Sequence, residues 1–274
     1  MTITFTESGS SQVGLTNKVN DPFINASIFP HSAINITAVS ATQINATGTV
    51  KSASGSITGV VVLQGSFSGA VVGETFQGFD NGVITGTLKT VSITLSQGSL
   101  SGNEVISFST PVNVDNFMLS QTSVLIAQAI YTGQLIFTNQ SVKTMGESYY
   151  GYSGYATFTD NSLYSASDND TFIGGTGGIN TLVLPDKFTN YEVSASSLIW
   201  DGNSQTSSLS GFVLSNKPQT YAQVQVSNVQ RVDFSDGTHL ALDINGNAGV
   251  VAKILGAVFG ASSVYNKNYV GIGL

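Results

Sequence analysis

Three acid or amide side chains, Asp168, Asn169 and Asp170, stand just ahead of the glycine run "GGTGG", and Asn180 follows it. Carboxylate and amide oxygens beside tight glycine turns, whose carbonyls can face an ion, are a donor set for a hard cation such as calcium. The same composition suits a plain glycine corner between two strands, so these residues leave both readings open.

A second cluster is aromatic. The stretch "ESYYGYSGY" gathers Tyr149, Tyr150, Tyr152 and Tyr155 among glycines. Amphipathic rings of this kind stack on sugars or adhere to a neighbouring subunit, and they equally suit an aromatic strand that closes a domain.

Catalytic chemistry finds less support. His31 and His239 are the only histidines and lie far apart in sequence. No Gly-x-Ser-x-Gly elbow, HExxH helix, phosphate loop or dinucleotide turn occurs. Glu74 and Asp80 form a carboxylate pair for glycoside hydrolysis only if folding sets them across a cleft. Asp243, Asn245 and Asn247 match the first, third and fifth positions of an EF-hand loop, but Ala248 replaces its glycine and Ile254 its bidentate glutamate. That stretch predicts a helix N-terminus, and the chain as a whole is expected not to be an enzyme.

The elements that must hold these residues are short strands. "INAS", "INIT" and "INAT" return every ten residues from Ile24, and Gly-x-apolar-Ser/Thr-Gly follows at Gly55, Gly65, Gly82 and Gly98. Such spacing is that of a strand with its turn. In "TVSITLS", Val91, Ile93 and Leu95 alternate with hydroxyl residues, which gives one inward face and one outward face. Asn81-Gly82 predicts a hairpin turn. Tyr191 and Val193 read as one strand, with Leu198 and Trp200 as its hairpin partner, and Val224, Val226, Val232 and Phe234 as two further inward sets. The expected fold is all-β: an antiparallel sandwich or stacked-strand domain over residues 1–158, then a small β module with a terminal helix over 159–274.

Composition agrees. Hydrophobic residues make up 41% of the 274 positions and charged residues only 9%, so the polar surface must come from Ser, Thr, Asn, Gln and Gly. The formal charge of −7, without a Lys/Arg cluster, argues against a nucleic-acid partner. There is no cysteine, which removes disulfides and thiolate metal sites. No apolar run approaches the roughly 18 residues of a membrane span, and the first residues lack the basic and apolar segments of a signal peptide.

Asp168 to Leu182 resembles the calcium-binding repeat of secreted RTX (haemolysin-type) bacterial proteins, Gly-Gly-x-Gly-x-Asp-x-apolar-x. Asp170 and Phe172 match its acid and inward apolar positions, and Asn180 replaces the next acid, ten residues after Asp170 where about nine are expected, so the repeat is degenerate. Further on, "NVQRVDFSDGTHLALD" is similar to the module that commonly trails those repeats, through Asn228, Val229, Arg231, Phe234, Ser235, Asp236, Gly237, Leu240, Ala241, Leu242 and Asp243. The resemblance implies calcium held by Asp168, Asn169, Asp170 and Asn180, type I secretion, and an extracellular or cell-surface location. The expected role is a structural or adhesive protein that forms a homo-oligomer or polymer, with a glycan-binding module or a glycan-active hydrolase as the alternative.

Overall fold

The computed structural model describes residues 1–9, 31–52, 55–97, 100–114, 133–141, 148–161, 169–201, 206–218 and 222–265. Over these the chain is mostly β, in two sheets with little helix.

The first half is built by alternating apolar and hydroxyl residues. Its strands are β1 (Thr2–Gly9), β2 (Ile34–Val39), β3 (Gln43–Ser52) and β4 (Gly55–Ser68), then, after the one-turn helix α1 (Gln77–Asp80), β5 (Thr85–Gln97) and β6 (Leu100–Asn113). β2 to β6 form an antiparallel meander, and β1 pairs antiparallel with β6. Val91, Ile93 and Leu95 are wholly buried, as the alternation predicts.

The glycine theme has a different meaning from the one its spacing suggests. Gly59 and Gly65 lie inside β4, where they end no strand. A Cβ on Gly65 would stand 1.9 Å from the Thr87 carbonyl oxygen across the β4–β5 ladder, so glycine here permits close backbone approach at a bulge. Asn81-Gly82 likewise follows α1, within a longer connection. Phe76 and Phe79, three residues apart, bury together with their rings at 5.2 Å, and this pair favours one helical turn over a two-residue hairpin.

The second half winds between the two sheets. β7 (Gln134–Ser141), β9 (Tyr155–Asp160), β11 (Thr181–Leu184) and β15 (Arg231–Phe234) lie side by side and parallel in the large sheet. β8 (Ser148–Tyr150), β10 (Asn169–Ile173) and β14 (Gln223–Ser227) do the same in the five-stranded sheet. A hairpin of β12 (Tyr191–Asp201) and β13 (Thr206–Asn216) is inserted before β14 and extends that sheet. Leu198 and Trp200 therefore continue the strand of Tyr191, and its partner is β13. β16 (His239–Ala241) closes the large sheet, and helix α2 (Asn247–Phe259) follows.

β1 joins the halves: it is antiparallel to β6 on one side and parallel to β7 on the other. The large sheet thus has eleven strands and runs without a break through Phe158. A single register row crosses nearly all of it, from Ile44 through Leu63, Val91, Ile106, Phe5, Phe137, Phe158, Leu182 and Val232 to Leu240.

Where the two sheets face each other, four rings fill the space. Phe137 stacks on Phe158 at 5.1 Å and Tyr149 on Phe172 at 5.0 Å, each pair within one sheet. Phe137–Tyr149 at 6.0 Å and Phe158–Phe172 at 5.1 Å join the sheets. Burying one such side chain contributes about 1.5–3 kcal/mol, and offset or edge contacts add to it. Among the described residues no helix is long and apolar enough to cross a membrane.

Candidate functional site

Asn180 stands apart from the other proposed cation donors. Asp168 lies outside the described residues. Asn169 and Asp170 open β10, the first exposed and the second buried, whereas Asn180 lies beyond the far end of that strand. At about 3.3 Å per residue, the strand alone separates Asp170 from the start of the glycine turn by roughly 13 Å.

Asn180 is instead the plug of a turn stack. Its Oδ1 accepts the N–H groups of Ala156 at 2.8 Å and Gly175 at 3.0 Å. Its Nδ2 donates to the carbonyl oxygens of Gly175 at 2.8 Å and Asn228 at 2.9 Å, and its own N–H donates to Gln230 Oε1 at 2.8 Å. Both lone pairs and both amide protons are engaged, and the residue is fully buried. One side chain therefore ties the start of β9, at Ala156, to the turns Gly174–Asn180 and Asn228–Gln230.

The glycines serve this stacking. A Cβ on Gly174 would lie 2.0 Å from the Asn228 carbonyl oxygen, and one on Gly175 would lie 2.1 Å from that of Gly154. Left-handed backbone occurs in the neighbouring turns, at Tyr152 (φ 45°) and Asn228 (φ 51°). Asparagine tolerates this region, whereas a tyrosine there is uncommon.

Asp170 belongs to a different group. Asn139 Nδ2 donates to Asp170 Oδ2 at 3.2 Å inside the protein. Asn139 pairs in register with Asp160 and with Glu7, which pairs with Glu104. Glu104, Asn139, Asp160 and Asp170 are all buried, so a polar row runs beside the apolar one at the ends of β7 and β9. Sequence reasoning missed it, although "IFTN" at Ile136 and "TFTD" at Thr157 carry the signal: the same aromatic-hydroxyl-polar order recurs on two strands in register. Among the described residues no three of His, Cys, Asp and Glu come together as a metal-holding group.

The tyrosine cluster divides between core and surface. Tyr149 and Tyr150 are buried, Tyr149 within the four-ring core. Tyr152 is half-buried with its ring 5.9 Å from that of Tyr150, and Tyr155 is exposed beside the bare backbone of Gly178. The side chain of Trp200 lies outside the described residues.

The EF-hand-like stretch forms a helix start, as its missing glutamate predicts. Asp243 Oδ1 accepts Arg231 Nη1, and the Asp243 carbonyl accepts the N–H of Gly246 at 2.8 Å. Asp243, Asn245 and Asn247 border an open groove of about 640 Å³ that Asn228 and Gln230 also line. His239 is exposed, with Nδ1 2.7 Å from Asp233 Oδ1; His31 opens a separate short helical turn, and its side chain lies outside the described residues. Glu74 and Asp80 are both exposed.

No family model matches the chain, and no curated protein or solved structure matches it.

Proposed function

We propose that the chain is a non-catalytic structural or adhesive protein of a bacterial cell surface, secreted by the type I route and assembling with its own copies into a layer, filament or matrix. The observation that carries this reading is the register row from Ile44 to Leu240, which ties nearly all strands of the large sheet into one apolar spine. The outward positions are largely Ser, Thr and Asn, which lose less on dehydration than charged groups do and so suit packing between identical subunits.

Of two sheet edges, one is closed and one supports the same reading. The outer edge of β2 is covered by the chain itself, since Ile36 N–H donates to the Glu74 carbonyl and Phe76 N–H to that of Ile34. β12, eleven residues long, has a strand neighbour on one side only among the described residues. An open edge of low charge is a template for strand addition.

In this reading the fold is a stacked-strand roll joined to an antiparallel sheet, and Gly174–Asn180 is a degenerate RTX turn. Calcium is assigned to Asp168, Asn169 and Asp170, while Asn180 is left to the turn its amide already closes. Light scattering of the purified protein across a concentration series, with and without calcium, tests the proposal. Growth of large species supports it, and scattering of a lone 28.5 kDa chain throughout opposes it.

A glycan-binding module is the second reading, favoured by the outward ring of Tyr155 beside Gly178. A glycan-array signal that is lost in Tyr155→Ala supports it.

A further inference from the structure

The open groove of about 640 Å³ lies between the hairpin β12–β13 and the turn that leads into α2. Its size is that of a small-molecule site. One wall is largely apolar: Ala195, Phe212 and Val226 stand opposite one another in a single row across β12, β13 and β14. The facing wall is polar and carries Asn228, Gln230, Asp243, Asn245 and Asn247.

Part of the polar wall is fixed by the protein itself. Asn228 Nδ2 donates to the Gly175 carbonyl at 2.7 Å, its Oδ1 accepts Gln230 Nε2 at 2.9 Å, and Gln230 Oε1 accepts the Asn180 N–H at 2.8 Å. These amides form a rigid floor. Asn245 and Asn247 differ, since both are exposed and their side chains make no hydrogen bond among the described residues. Each therefore keeps two donors and an acceptor oxygen for a ligand.

From this geometry we infer that the groove binds a neutral saccharide, with the amides of Asn245 and Asn247 on its hydroxyls and the ring of Phe212 against an apolar face of the sugar. The inference rests on the glycan-binding reading above and gives that reading its site. Gly178 lines the same groove, and a Cβ on it would stand 3.1 Å from Tyr155 Cβ. The outward Tyr155 ring thus flanks the groove and extends its aromatic surface.

The lining selects this ligand class against others. Asp243 is the one charged residue among the described lining residues, and Arg231 Nη1 already donates to it. A metal ion, which needs six to eight oxygens, finds a single compensated carboxylate. An anion finds no lysine or arginine in the lining. A peptide strand finds no free ladder, because β13 lies between β12 and β14, and β14 between β13 and β10. A lipid tail would desolvate the amide wall without replacing its hydrogen bonds. A hydroxyl-rich, uncharged ligand satisfies both walls.

Binding of defined oligosaccharides to the full chain, followed by calorimetry and by NMR of the side-chain amides, tests this. Cellotetraose, maltotetraose and N-acetylated chitotetraose serve as neutral probes and tetragalacturonate as the charged one. At least one neutral probe should bind and shift the amide signals of Asn245 and Asn247, and tetragalacturonate should not. Joint Asn245→Ala and Asn247→Ala substitution should weaken that probe roughly tenfold, the scale of two lost hydrogen bonds. Ala195→Trp, which fills the groove from an exposed position, should remove binding. Both variants should melt near wild type, because neither touches a buried residue. A neutral probe that binds wild type and both variants alike, yet is lost in Tyr155→Ala, overturns the groove and spares the glycan reading. Tetragalacturonate binding as tight as that of the neutral probes overturns the ligand class. Absence of binding by every neutral probe overturns the inference, and a silent glycan array in addition sinks the glycan reading.

Discussion

Asn180 and Ala156 meet across two levels of the winding: the side-chain oxygen of Asn180 accepts the backbone N–H of Ala156 at 2.8 Å. A residue that resembles a calcium ligand in the sequence is thereby committed to backbone groups. The parallel strands on either side of this turn are short, and β11 has only four residues, so ladder bonds alone leave the corners unsatisfied. Asn180 supplies the missing partners at these corners.

Asn180→Ala should destabilise the fold by about 3–5 kcal/mol, since several buried backbone groups lose their partner at about 1–3 kcal/mol each. Urea unfolding measures this. Asn180→Asp keeps the acceptors but loses both donors, so it should also destabilise, with no gain in calcium affinity by calorimetry. Tighter calcium binding in that variant would return Asn180 to the ligand set.

Phe158 touches rings in both sheets. Phe158→Ala should cost about 3–5 kcal/mol by loss of transfer energy and creation of a cavity. Phe158→Leu, which retains much of the volume, should cost less. Equal losses in thermal melts of the two variants would contradict the four-ring core.

Asp236 gives a pH dependence. The N–H of Thr238 donates to its Oδ1 at 3.0 Å and that of Phe188 to its Oδ2 at 3.3 Å. The Thr238 N–H foremost holds this carboxyl below the ordinary aspartate range. Its contribution is therefore complete above the unfolded-state value and lost as pH falls through the folded one. NMR titration should find the Asp236 midpoint below that of a free aspartate, and Asp236→Asn should remove this part of the acid sensitivity.

Calcium is expected to raise the melting temperature, and a chelator to lower it. Asp170→Asn should abolish the calcium effect while keeping the buried contact with Asn139. A melting curve unmoved by chelator would remove Asp168, Asn169 and Asp170 from the proposed ligands.

Local patterns were legible where one face is buried and the other wet. Val91, Ile93 and Leu95 announced β5 in this way, and Val224, Val226, Val232 and Phe234 announced β14 and β15. Sheet membership was not legible: β14 and β15 are consecutive yet belong to different sheets, and alternation within a strand carries no information about its neighbours. Glycines misled for a physical reason. The same absence of a Cβ serves a turn at Gly237 (φ 76°) and a close backbone approach at Gly65, and only the fold separates the two. The polar row at Asn139 and Asp160 was hidden because each residue, taken singly, looks like the end of a strand.

Negative-stain electron microscopy of the purified full chain in calcium tests the central claim most directly. The account predicts ordered sheets or fibres whose number rises with protein concentration. Fields of separate single-chain particles at every concentration would contradict it.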